Sequence, residues 1–248
     1  MFTFAAQVHC QESAGDGMNY MARSGYVLVI NNYLFPQRTD VERTGSNDDV
    51  IGLANLFDDF NFRTRVHDNL TKSDMLKLLM ETAEKDFSKY DCFVCVILSH
   101  GSKEGIYGTD DEVISLQTIT SLFSQNKCPS LKGKPSIFLI EAVRQRGDKF
   151  PGSDPSSSPT VSEADFLINY ATPETKNRFS PFGLMSAVHH VFEVYTGKED
   201  LMNMMTRVNK LTTKSYRLYS ASKMQSATLI STLTKKVFFK PVMTEYVW

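Results

Sequence analysis

Apolar positions along the chain fall into two alternating periods. Residues 26–31 (YVLVIN) form a continuous apolar run, the mark of a strand buried on both faces. From about Asp48, the positions Val50, Leu53, Ala54, Phe57 and Phe60 recur at three- and four-residue spacing. That spacing predicts a helix with one buried stripe. Asn47 is its expected N-cap, with Asp48 and Asp49 in the first turn, where the helix dipole favours negative charge. Residues 61–66 predict a short second strand. Thr71 then caps a second helix whose stripe is Met75, Leu78, Leu79 and Thr82, with Asp74 completing an imperfect capping box. Residues 91–98 predict another apolar strand, 115–123 a shorter helix and 136–140 a further strand. Such alternation predicts an α/β domain, a mostly parallel central sheet flanked by helices on both faces.

The segment 146–162 (RGDKFPGSDPSSSPTVS) has no apolar period and reads as an exposed linker. Beyond it, 165–170 predicts a strand. Ser180 and Pro181 open a helix, as N-cap and first-turn residue. A second helix carries Leu201, Met204, Met205, Val208 and Leu211. Residues 227–233 and 236–239 read together as one closing strand. Sheet-forming segments lie on both sides of the linker, so the expectation is one domain cut by an insertion. Residues 1–22 are unpatterned and read as a flexible tail. The organisation expected is a tail (1–22), a larger region (23–145), the linker (146–162) and a smaller region (163–248).

Composition narrows the function classes. The 248 residues carry 27 Lys and Arg against 28 Asp and Glu, a net charge of -1. This balance argues against a nucleic-acid or anionic-membrane partner, which needs clustered positive charge. No apolar run approaches a membrane span. Cys10, Cys92, Cys95 and Cys128 form no disulfide framework, which points to a reducing compartment and a cytoplasmic location. Cys92 and Cys95 lie in one strand, where positions i and i+3 face opposite sides, so they predict buried thiols rather than a metal pair. His189 and His190 are adjacent in a helix and cannot share a face. No metal or other cofactor is expected. The run Met202, Met204, Met205 reads as helix core.

In an open α/β sheet, chemistry sits at the carboxyl ends of the strands. Two ends stand out: Ser99-His100-Gly101 after the 91–98 strand, and Glu141-Ala142-Val143-Arg144-Gln145 after the 136–140 strand. A His at one tip facing a neighbouring tip suits a general base beside a nucleophile.

From Gly25 to Phe239 the chain resembles the caspases, the Asp-specific cysteine proteases. The resemblance rests on ordered matches. They are Ser99-His-Gly101 followed by Gly105-Ile-Tyr-Gly108-Thr, Arg43-Thr-Gly-Ser-Asn47, Gly133-Lys-Pro135, Glu163-Ala-Asp-Phe-Leu167, Thr206-Arg-Val-Asn209 and Leu233-Thr-Lys235. It implies a caspase/haemoglobinase-like fold with large- and small-subunit regions in one chain. The family's nucleophile motif is Gln-Ala-Cys-(Arg/Gln/Gly)-Gly, with its His roughly 50 residues upstream. Here Val143 stands in the Cys position, 43 residues after His100. Valine has no lone pair to attack a carbonyl and no proton for a base to take, so the resemblance implies a pseudoenzyme with a vestigial His100, Gly101 and Val143. Three of the five motif positions differ, more than a single deliberate replacement of Cys would leave.

The resemblance also implies a pocket in which two Arg and the motif's Gln clasp a substrate Asp. Arg43 matches the first Arg, and Arg178 is the candidate for the second. Glu141 replaces the Gln and sets a negative charge against the substrate carboxylate. Two like charges 4 Å apart repel by roughly 1–4 kcal/mol at effective dielectrics of 80 to 20. The expectation is that Glu141 pairs with Arg43 and fills the pocket. Asp16, followed by Gly17, resembles a prodomain-removal site. Asp148 and Asp154 are linker candidates with poor following residues.

Caspases pair edge to edge through their last strand. Here that edge would be Ala227, Thr228, Leu229, Ile230, Ser231, Thr232 and Leu233, meeting the same strand of a partner. The implied role is regulation of an active paralogous caspase in apoptosis by heterodimerisation, with self-pairing as the other use of the edge. A decoy that sequesters caspase substrates or inhibitors without cleavage is the alternative. The caspase likeness with a lost nucleophile resembles the decoy caspase-like proteins of insects.

Overall fold

In the computed structural model, residues 19–38, 46–102, 104–143, 163–172, 183–219 and 227–240 are described. The candidate residues Asp16, Arg43, Asp148, Asp154 and Arg178, like Ser180 and Pro181, lie outside them.

Strands β2 (Gly25–Asn31), β3 (Phe62–Asp68), β4 (Cys92–His100), β7 (Ser136–Val143), β8 (Phe166–Ala171) and β9 (Thr228–Ser231) form one sheet in the order β3-β2-β4-β7-β8-β9. Every pair is parallel except β8 with β9. β7 and β8 come from opposite sides of the linker and lie side by side, so one sheet spans it.

Alternation along each strand divides the core into two layers. Cys92, Val94, Val96 and Leu98 of β4 join one cluster with α1 (Ser46–Asp59), α4 (Leu184–Tyr195) and α5 (Leu201–Tyr219). Phe93, Cys95 and Ile97 join the other with α2 (Lys72–Ala83) and α3 (Leu116–Ser121). Cys92 and Cys95 therefore face opposite layers, both fully buried. Burial raises both thiol pKa values far above the ordinary range. Met204 and Met205 are buried on α5 and Met202 packs at the core's margin.

The Thr71 cap is present: its Oγ1 accepts the Asp74 N–H at 3.2 Å. Asn47 is not a cap. It lies inside α1, which already includes Ser46, and its side-chain oxygen accepts from Asn31 Nδ2 at 2.9 Å. The described part of the next helix starts at Leu184 with Gly183 at its N-cap.

Three expectations of extent change. Asn19–Ala22, read as the end of the tail, form strand β1 and pair in parallel with β10 (Lys236–Phe239). The closing segment is therefore two strands in two sheets. Its break falls after Ser231, where the Asp165 carboxylate accepts both Thr234 N–H and Oγ1–H and draws the chain off the β9 line. Thr232 and Leu233 follow strand β9 rather than belonging to it. Finally, a two-stranded hairpin, β5 (Ile106–Tyr107) with β6 (Val113–Ile114), follows β4. These two-residue strands are too short to produce a readable period.

Candidate functional site

β4 and β7 both run further than their apolar runs suggest. β4 continues through Ser99 and His100, and β7 through Glu141, Ala142 and Val143. The two tips were expected beyond the strands. The ladder continues because the parallel register carries on, pairing Ser99 with Ala142 and His100 with Val143. Gly101 N–H then donates to Val143 O at 2.9 Å. A glycine is required at 101, since an added Cβ would meet Ala142 Cβ at 2.6 Å.

Alternation places His100 on the Leu98 face of β4 and Val143 on the Leu139 face of β7, which is the same side of the sheet. His100 and Val143 are thus neighbours on adjacent strands. His100 Nδ1 lies 3.3 Å from Val143 O. Ser99 points to the other face, where its Oγ–H donates to Tyr107 O at 2.6 Å and ties β4 to the hairpin.

His100 is fully buried. Phe35 meets it edge to face, with ring centroids 4.6 Å apart, a favoured aromatic arrangement. Phe35 is itself packed under the Arg38 guanidinium, whose carbon lies 5.4 Å from that ring centroid and 4.4 Å from the Tyr107 centroid. Arg38 Nε donates to Asp111 Oδ1 at 2.5 Å. Phe35, Arg38 and Asp111 were not singled out from the sequence. Their contacts bridge the β2–α1 connection and the hairpin, and no local period marks such contacts.

Glu141 lies on the His100 side of β7, two residues before Val143, and is buried. Its Oε2 accepts the Leu184 N–H at 3.0 Å. Gly183 has no side chain to cap α4, so a carboxylate from the sheet does so. The placement suits the charge, because the first turn of a helix presents unpaired N–H groups and the positive end of its dipole. The expected pairing of Glu141 with Arg43 falls outside the described residues.

At the far edge of the sheet, β9 shows Thr228 and Ser231 exposed, with Leu229 and Ile230 half-buried. Among the described residues, β9 is the last strand of the sheet. Ala227, just before it, is buried. No group of described His, Cys, Asp or Glu side chains is arranged to hold a metal ion. No helix of the described residues is long and apolar enough to cross a membrane.

Comparison with known proteins agrees with this geometry. The family model described as Caspase domain matches residues 24–238. Mouse Caspase-3 is 31% identical over 87% of this chain and 83% of its own length. Mouse Caspase-8 is 32% identical over 88% of this chain and 51% of its own length. A solved structure of pro-sf-caspase-1 superposes with a TM-score of 0.75 at 24% identity, over 87% of this chain and 94% of that one. The paired strand tips, the two-sided sheet and the span of the match carry one conclusion: the chain belongs to the caspase family.

Proposed function

We propose that this chain is a pseudocaspase that regulates an active caspase by pairing with it. The observation that carries the proposal is Val143. It stands beside His100, on the same face of the neighbouring strand, where a caspase presents its nucleophile. A hydrocarbon there cannot form the acyl-enzyme, and His100 has no thiol proton to take. Proteases that lose a triad member retain roughly 10³–10⁴-fold catalysis over water from binding and the oxyanion hole, which most assays would not detect.

The edge supports pairing. Strand β9 ends the described sheet with half-buried Leu229 and Ile230, and an unpaired edge is a template for another strand. Caspases pair through this edge, so a relative with a working nucleophile is the natural partner. Because Caspase-3 and Caspase-8 are among the relatives, the setting proposed is apoptosis, in the cytoplasm, without nucleic acid or membrane. The remnant site comprises His100, Gly101 and Val143, with Arg43, Glu141 and Arg178 as the altered pocket.

Sequestration of caspase substrates is the weaker reading. A pocket built to clasp an Asp side chain would have to accept it beside the buried Glu141 carboxylate.

Titrating this chain into a related active caspase, with a fluorogenic Asp peptide as substrate, tests the proposal. Hydrolysis should change and level off as the active protomers become paired, while this chain alone does nothing. A rise would identify an activator and a fall a dominant-negative partner. An unchanged rate at saturation, or hydrolysis by this chain alone, would overturn the proposal.

A further inference from the structure

The Arg38–Asp111 contact joins two connections outside the main sheet. Arg38 sits in the connection after β2, and Asp111 in the turn of the β5–β6 hairpin. Between them they hold a stack of Phe35, the Arg38 guanidinium and Tyr107. Phe35 in turn lies against the ring of His100. The bridge is partly shielded, with side-chain exposures of 13% for Arg38 and 25% for Asp111.

Asp111 holds a place that glycine, Asn or Asp can take. Its φ is 61°, in the left-handed region that favours glycine. Its N–H donates to Gly108 O at 3.1 Å, a bond any residue could make. A glycine would make this turn without strain, so the carboxylate is what aspartate adds. That carboxylate is spent on Arg38. Arg38 is also suited to its task, because a planar guanidinium can stack on aromatic faces while donating in its own plane. The neighbouring contacts support the same closure. Tyr33 and Leu34 N–H both donate to Asn69 Oδ1, at 3.1 and 2.9 Å, and Arg38 N–H donates to Phe35 O at 2.9 Å.

We propose that Arg38 and Asp111 form a latch that holds Phe35 over His100 and so sets the access of solutes to the strand-tip site. Both are positioning residues: neither touches a reacting group. The latch goes beyond the pairing function and does not depend on it, since it concerns only how the site is covered.

The test reads accessibility directly. The intact chain is treated with diethyl pyrocarbonate near neutral pH, and the rate of modification of each His is followed by peptide mass mapping. Exposed His190 serves as the internal control. In the unaltered chain His100 should react at least about tenfold more slowly than His190, as expected of a group reached through local opening. Arg38→Ala should remove most of that protection. Asp111→Gly should do the same while relieving the strained turn, so its fold is retained. Arg38→Lys keeps the charge without the planar fork and should restore protection only partly. The latch is overturned if His100 reacts as fast as His190 in the unaltered chain. It is equally overturned if His100 stays protected in the folded Asp111→Gly chain. A fall in thermal midpoint with unchanged protection would make the contact structural only, contradicting the proposal.

Discussion

Single residues decide what this site can do. On the proposed reading Val143 takes the nucleophile's place, while Glu141 caps α4 by accepting the Leu184 N–H. Replacing Glu141 by Gln keeps an acceptor but loses the charge facing the helix dipole, and should cost about 0.5–1 kcal/mol. Glu141→Ala leaves the Leu184 N–H unpaired and should cost about 1–3 kcal/mol. Urea denaturation of the two variants checks both the order and the size. The buried thiols give a pH prediction. Cys92 and Cys95 have folded-state pKa values raised by burial, so the unfolded chain loses these protons first. Their contribution is fully present below the unfolded thiol pKa of about 8.5 and is lost as pH rises above it. Thermal midpoints should therefore fall between about pH 8.5 and 10, and the fall should be shallower in Cys95→Ala. Neither thiol should react with iodoacetamide before unfolding. Much of this scale is legible in sequence: the Val at a Cys position and the buried pair of thiols follow from motif and period. The role of Glu141 as a helix cap does not, because its partner lies 43 residues away. Arg38, 73 residues from Asp111, is hidden for the same reason.

At the scale of elements, long apolar runs predict their strands well and strand ends poorly. β4 and β7 end with Ser99-His100 and Glu141-Ala142-Val143, where polar side chains break the apolar run but not the backbone ladder. A hydrophobic period cannot register pairing that the backbone alone sustains. The same limit explains the closing segment. Residues 227–239 look like one strand, yet Thr232, Thr234 and Asp165 fold the chain over between β9 and β10. The Thr71 cap is visible in sequence because its partner is three residues away. Thr71→Ala should cost about 1 kcal/mol. A shift in the denaturation midpoint at constant slope would confirm that the loss lies in the folded state.

The whole molecule is an α/β domain in which one sheet lies between two helical layers, with the His100 and Val143 strand tips at one end of the sheet and β9 as its last strand among the described residues. Fold and family are readable from ordered motifs, since these mark the turns that any chain of this topology needs. The partner is not, because an edge strand records where pairing occurs and not with which chain. Thr232 N–H bonds inward to Phe166 O. In an antiparallel ladder the direction alternates, so the Leu229 and Ser231 N–H groups point away from β8. Ser231→Pro removes an outward donor without touching the β8–β9 bonds. It should weaken pairing by about tenfold or more, while loss of the exposed Leu233 N–H bond to Ser231 Oγ lowers the thermal midpoint of the chain only slightly. A pairing constant equal to that of the unaltered chain would place the interface elsewhere.

The most direct test of the central claim is native mass spectrometry of this 28.0 kDa chain mixed with a related active caspase of distinguishable mass. The account predicts a one-to-one heterodimer that diminishes with Ser231→Pro. Detection of only the separate species, across concentrations at which the active caspase itself pairs, would contradict it.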